Sequence, residues 1–122
     1  MKTKGIFLSW IIVKDVPAAI KFYSEVVGLE LKEYHKEFGW AELKGPEGSL
    51  LGIGQEDPQN PITAGSNAVV TVTVEDIEDA KRHFNNKGAK LVGETIEIPG
   101  HVKLQTFVDV DGNNFQLVQD LT

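Results

Sequence analysis

Hydrophobic and polar positions follow a period along this chain that changes several times, and each change marks an element. Residues 6–13, IFLSWIIV, are dense in β-branched and aromatic side chains and predict a strand. Asp15 then stands as a helix N-cap with Pro17 in the first turn. Val16, Ala19, Ile20, Tyr23 and Val27 recur at three- and four-residue steps, the buried stripe of an amphipathic helix that Gly28 closes. Residues 29–35 alternate again, and 40–43 and 50–53 supply two more strands. A polar stretch with two prolines and a glycine, residues 57–66, reads as a linker. Residues 68–74 alternate cleanly, with Val70, Val72 and Val74 on one face and Val69, Thr71 and Thr73 on the other. Asp76 caps a second helix that ends at Gly88, and strands follow at 89–92, 103–108 and 115–119.

The second half repeats the first. FVDVDGNNFQLVQ, residues 107–119, is strand, tight turn and strand, with Asp, Gly and Asn as turn residues. LKGPEGSLLGIGQ, residues 43–55, matches it at a shift of 64 (112 − 48), which sets Leu51 on Phe115, Ile53 on Leu117 and Gln55 on Gln119. The helices match at a shift of 61 (76 − 15), which sets Ala19 on Ala80 and Tyr23 on Phe84. A repeat of this kind is an internal duplication. The expected fold is α+β, with two tandem β-α-β-β-β modules, about 1–56 and 67–122, forming one domain over residues 1–122. One face of each strand set suits a helix: Val70, Val72, Phe107, Phe115 and Leu117 in the second module. The opposite face carries Thr71, Thr73, Thr106 and Gln116 mixed with Val69 and Leu104, and in the first module it carries Trp10 with Leu8 and Ile12. A curved mixed sheet with that face inward encloses a concave cup, the usual form of a ligand site.

Composition narrows the partners. At 122 residues with 41% hydrophobic and 25% charged residues, the chain has the make-up of an ordinary globular domain. The net charge of −6 disfavours nucleic acid and anionic membrane and favours a cationic ligand. Without cysteine there is no disulfide, thiolate nucleophile or zinc–thiolate site. With no long apolar run and no signal-like start, the expected location is the cytoplasm.

WIIVKDVPAAIKFYSEVVGLEL, VTVTVEDIEDAKRHFNNKGAKLV and FVDVDGNNFQLVQ together resemble the vicinal oxygen chelate superfamily of glyoxalase I, fosfomycin-resistance enzymes, extradiol dioxygenases and bleomycin-resistance proteins. The resemblance covers nearly the whole chain, twice over. It implies a divalent metal held in the cup by His and Glu at four equivalent strand positions. Those positions are here Leu8, Gly52, Val69 and Gln116. Leucine and valine have no lone pair to give, glycine has no side chain, and a neutral amide is a poor ligand for a transition metal. No metal and no other cofactor is expected.

The expected ligand-binding residues are Leu8, Trp10, Ile12, Trp40, Glu42, Gly52, Val69, Thr71, Thr73, Leu104, Thr106 and Gln116. Trp10 and Trp40 read either as walls for a planar ligand or as core aromatics. Glu42 reads either as a cup carboxylate, with a raised pKa as a base or as acceptor for a cation, or as an edge-strand residue in water. His101, after Pro99 and Gly100, opens a strand that borders the cup; His35 and His83 have no metal-ligand spacing. Two functions follow. The first is a metal-free small-molecule binding protein similar in design to the bleomycin-resistance branch, working as a homodimer. The second is a glyoxalase- or dioxygenase-like enzyme with a displaced metal or an acid–base pair such as Glu42 with His101.

Overall fold

The computed structural model describes residues 1–2, 4, 7–58, 63–65 and 70–122. The chain divides into two compact units, Met1–Thr63 and Ala64–Thr122, and each is described by itself.

The first unit runs β1 (Ser9–Val13), α1 (Val16–Glu25), β2 (Glu30–His35), a 3-10 turn (Lys36–Phe38), β3 (Trp40–Lys44) and β4 (Leu50–Gln55). Its sheet has the order β1-β4-β3-β2, with β1 parallel to β4 and the other pairs antiparallel. Asp15 caps α1 by accepting from Ala18 N–H at 3.2 Å, and Gly28, at φ 88°, takes the left-handed turn that ends it. Ile11, Val13, Ala41, Leu43 and Ile53 are fully buried on the helix side with Ala19 and Tyr23. Phe22 joins that core beside Tyr23. The first strand is shorter than its composition predicts: Phe7 and Leu8 precede β1, and Ile6 lies outside the described residues.

The second unit runs β5 (Val70–Thr73), α2 (Ile77–Asn86), β6 (Lys90–Ile98), β7 (Val102–Val108) and β8 (Asn114–Asp120), with sheet order β5-β8-β7-β6. The two units therefore have the same strand order and the same single parallel pair. Phe84, Phe107 and Phe115 form its aromatic core, with rings 4.8 and 5.4 Å apart. The turn before β8 is built as its composition predicts. Asp109 accepts from Asp111 N–H and Asn113 N–H at 2.9 Å, the Asn113 amide donates to Asp109 at 2.7 Å, and Gly112 sits at φ 81°.

The two modules also share a helix lock. The Gln55 side-chain oxygen accepts from Val16 N–H at 3.3 Å, and that of Gln119 accepts from Ile77 N–H at 2.9 Å. Each glutamine reaches from the end of the central parallel strand to the first turn of its helix, whose N–H groups have no partner within the helix.

β6 departs from the prediction. It continues to Ile98 instead of ending at Val92, because the register slips between Val92 and Ile96 and pairing with β7 resumes beyond it. Gly93, at φ 70°, permits the slip. Gln105, 1% exposed, pins it: its amide donates to the carbonyls of Val92 and Gly93, and its oxygen accepts from the Thr95 hydroxyl, which in turn takes the Lys81 ammonium at 2.7 Å.

Candidate functional site

Strand register assembles the candidate residues of the first unit into two adjacent rows on the face away from α1. Paired residues share a face, so Trp10, Gly52, Glu42 and Glu33 form one row across β1, β4, β3 and β2. Ile12, Gly54, Trp40 and His35 form the next. A glycine thus stands between the flanking side chains in both rows.

The two indoles use that space diagonally. A Cβ placed on Gly52 would lie 2.4 Å from Cη2 of Trp40 and 2.9 Å from Cβ of Trp10. A Cβ on Gly54 would meet Trp10 Cζ3 and Ile12 Cδ1 at 3.4 Å. Trp40 therefore leans over Gly52 and Trp10 over Gly54, with ring centroids 5.8 Å apart and planes tilted by 60°. Trp10 remains 42% exposed, which is not a core tryptophan, whereas Ile12 is buried beside it.

Glu42 is not the water-exposed edge residue of its alternative reading. β3 is an interior strand, and Glu42 is 7% exposed. One carboxylate oxygen accepts from the Trp40 indole N–H at 3.0 Å, and the other lies 3.8 Å from the Lys32 ammonium. Charge-assisted hydrogen bonding fixes the ring of Trp40. Lys32 was not foreseen as part of this arrangement. It is the extra residue of a bulge in β2 between Leu31 and Glu33, and period-two counting has no means of locating a bulge.

The second unit carries the equivalent rows without aromatics. Thr71, Gln116, Thr106 and Val92 form one, and Thr73, Val118, Leu104 and Ile96 the other. Gln116 thus holds in this sheet the place of Gly52 in the first, as the duplication predicts. Val69 lies outside the described residues. Leu8 lies ahead of β1 and belongs to no paired row. His101 does not begin a strand: it is exposed in the turn before β7, which Ile98 closes by accepting its N–H at 2.9 Å. His35 stacks on Phe38 at 4.8 Å between Glu33 and Glu37, and exposed His83 lies edge-on to Phe84.

These residues do not fit the divalent metal that the resemblance implies. Among the described residues no three His, Cys, Asp or Glu gather as a ligand set, and the space above Gly52 is filled by an indole.

No curated protein matches the chain at a significant level. Solved structures do. TnmS3, an antibiotic-binding protein from Streptomyces sp. CB03234, superimposes with a TM-score of 0.81 at 22% identity, covering 98% of each chain. A lactoylglutathione lyase from Agrobacterium tumefaciens gives 0.76 at 18% identity, covering 98% of this chain and 96% of that one. A superfamily member from Sphaerobacter thermophilus DSM 20745 gives 0.80 at 20%, covering 97% and 98%. At these identities the likeness is one of fold. The family model for the Glyoxalase/Bleomycin resistance protein/Dioxygenase superfamily matches residues 6–117, and with nearly the whole length matched, the chain belongs to that superfamily.

Proposed function

We propose that the chain is a metal-free small-molecule binding protein of the bleomycin-resistance type, which sequesters a planar or cationic compound. The observation that carries this reading is the exposed Trp10 indole, braced against Trp40 over two strand glycines with the Glu42 carboxylate in the same row. An exposed ring held from behind is a preformed stacking surface, and such stacking contributes about 0.5–1.5 kcal/mol beyond buried area. The likeness of fold to an antibiotic-binding protein supports the same reading. A homodimer in the cytoplasm belongs to the proposal; among the described residues no helix is long and apolar enough to cross a membrane.

The glyoxalase- or dioxygenase-like alternative needs a displaced metal or an acid–base pair such as Glu42 with His101. Among the described residues no three His, Cys, Asp or Glu gather to hold a metal. The Glu42 carboxylate is hydrogen-bonded by the Trp40 N–H and charge-paired with Lys32, and His101 is on an exposed turn. Binding is therefore the better-supported activity.

Titration of the purified protein with a panel of planar heterocycles, followed by tryptophan emission and accompanied by elemental analysis, tests the reading. Quenching that saturates, is lost in Trp10→Ala with little change in melting temperature, and occurs without stoichiometric metal is expected. One dialysis-resistant equivalent of zinc, nickel, manganese or iron, or a Trp10→Ala variant that loses the ~3–5 kcal/mol typical of a core tryptophan while keeping affinity, would overturn it.

A further inference from the structure

Resting on that reading, we infer that the ligand is a planar organic cation, of the quaternised or protonated nitrogen-heterocycle class, and that its charge displaces the Lys32 ammonium from Glu42. Lys32 is then a built-in placeholder for the ligand.

The asymmetry of the Lys32–Glu42 pair carries the argument. The carboxylate is the buried member, with a side chain 9% exposed, while the lysine side chain is 46% exposed. At 3.8 Å the ammonium neutralises the charge but is too far for a hydrogen bond, so the Trp40 N–H is the closer donor to Glu42. A buried carboxylate requires a counter-charge, whereas an exposed lysine loses little on returning to water. Exchange of one cation for another therefore costs the site little.

The surroundings favour a flat cation as the replacement. Indole faces attract positive charge, and Trp10 is 42% exposed. Trp10 and Glu42 flank Gly52 in one row, two strand spacings or about 9–10 Å apart, the width of a two- or three-ring heterocycle. Glu33, opposite Glu42 on β2 and 3.5 Å from His35, adds a second carboxylate. Lys44 follows Glu42 by two residues, at the opposite end of β3 from Trp40.

N-methylacridinium, acridine at pH 8 and acridine-9-carboxylate present one ring system as a cation, a neutral molecule and an anion. Both tryptophans of the chain belong to this site, so emission reads it directly. The cation is expected to bind most tightly. Lys32→Met should tighten it about two- to fivefold, the range of an exposed ion pair, and leave acridine unchanged. Glu42→Gln keeps an acceptor for Trp40 and should weaken the cation about tenfold or more. Lys21→Met, an exposed change on α1 with the same loss of charge, should have a smaller effect than Lys32→Met. Equal binding of all three probes, or equal tightening by Lys21→Met, overturns the placeholder inference and leaves the stacking site standing. Failure of every probe to quench Trp10 overturns both.

Discussion

At the residue scale the decisive position is Gly52, which a reader of sequence alone passes over. Glycine inside a strand ordinarily signals weakness or a bulge, since it packs nothing and loses more backbone freedom on folding. Here its missing side chain admits the benzo edge of Trp40. Gly52→Ala should force that ring away, break its hydrogen bond to Glu42 and cost about 1–3 kcal/mol as an overpacked site. Gly54→Ala, with contacts at 3.4 Å rather than 2.4 Å, should cost less. Circular dichroism of the coupled indoles, alongside melts of both variants, checks this. An unchanged indole couplet in Gly52→Ala would mean that Trp40 does not depend on the glycine.

At the element scale the duplication is visible in how each helix begins. Gln55 and Gln119 align in the sequence at the 64-residue shift, and each accepts from the first N–H of its own helix. Gln55→Ala and Gln119→Ala should each lower stability by about 1 kcal/mol, the net worth of one hydrogen bond, measurable by urea melts. A cost at one site and none at the other would show that only one lock matters. The alignment was legible because a glutamine after an apolar pair and a turn recurs at a fixed distance. The true length of β6 was not, because Gly93 and Glu94 interrupt the alternation and the pairing resumes only after a bulge. Parity offered one missed signal: Gln105 lies two residues before Phe107, in a row that must be buried, and is the residue that secures that bulge. Helix faces and the Asp109–Asn113 turn needed only local rules, whereas Lys32 against Glu42 depended on a register slip that no period encodes.

For the whole molecule, the outer strand β6 leaves Val92, Ile96 and Ile98 between 39% and 58% exposed, and exposed apolar edges call for a partner. The homodimer expected on this ground would appear in light scattering at twice the 13.4 kDa chain mass, and a 13.4 kDa species at micromolar concentration would exclude it. The placing of the paired indoles has a further consequence for anyone watching this protein unfold. Trp10 and Trp40 are in the first unit, as are Tyr23 and Tyr34, the two tyrosines of the chain; the second has only phenylalanine. Absorbance at 280 nm and intrinsic emission therefore come wholly from residues before Thr63, and the second half of the duplication is optically dark. A melt followed by emission describes one repeat, while far-ultraviolet dichroism averages both. Superposition of the two curves would establish that the repeats unfold as one cooperative body, and their separation would give each repeat its own stability.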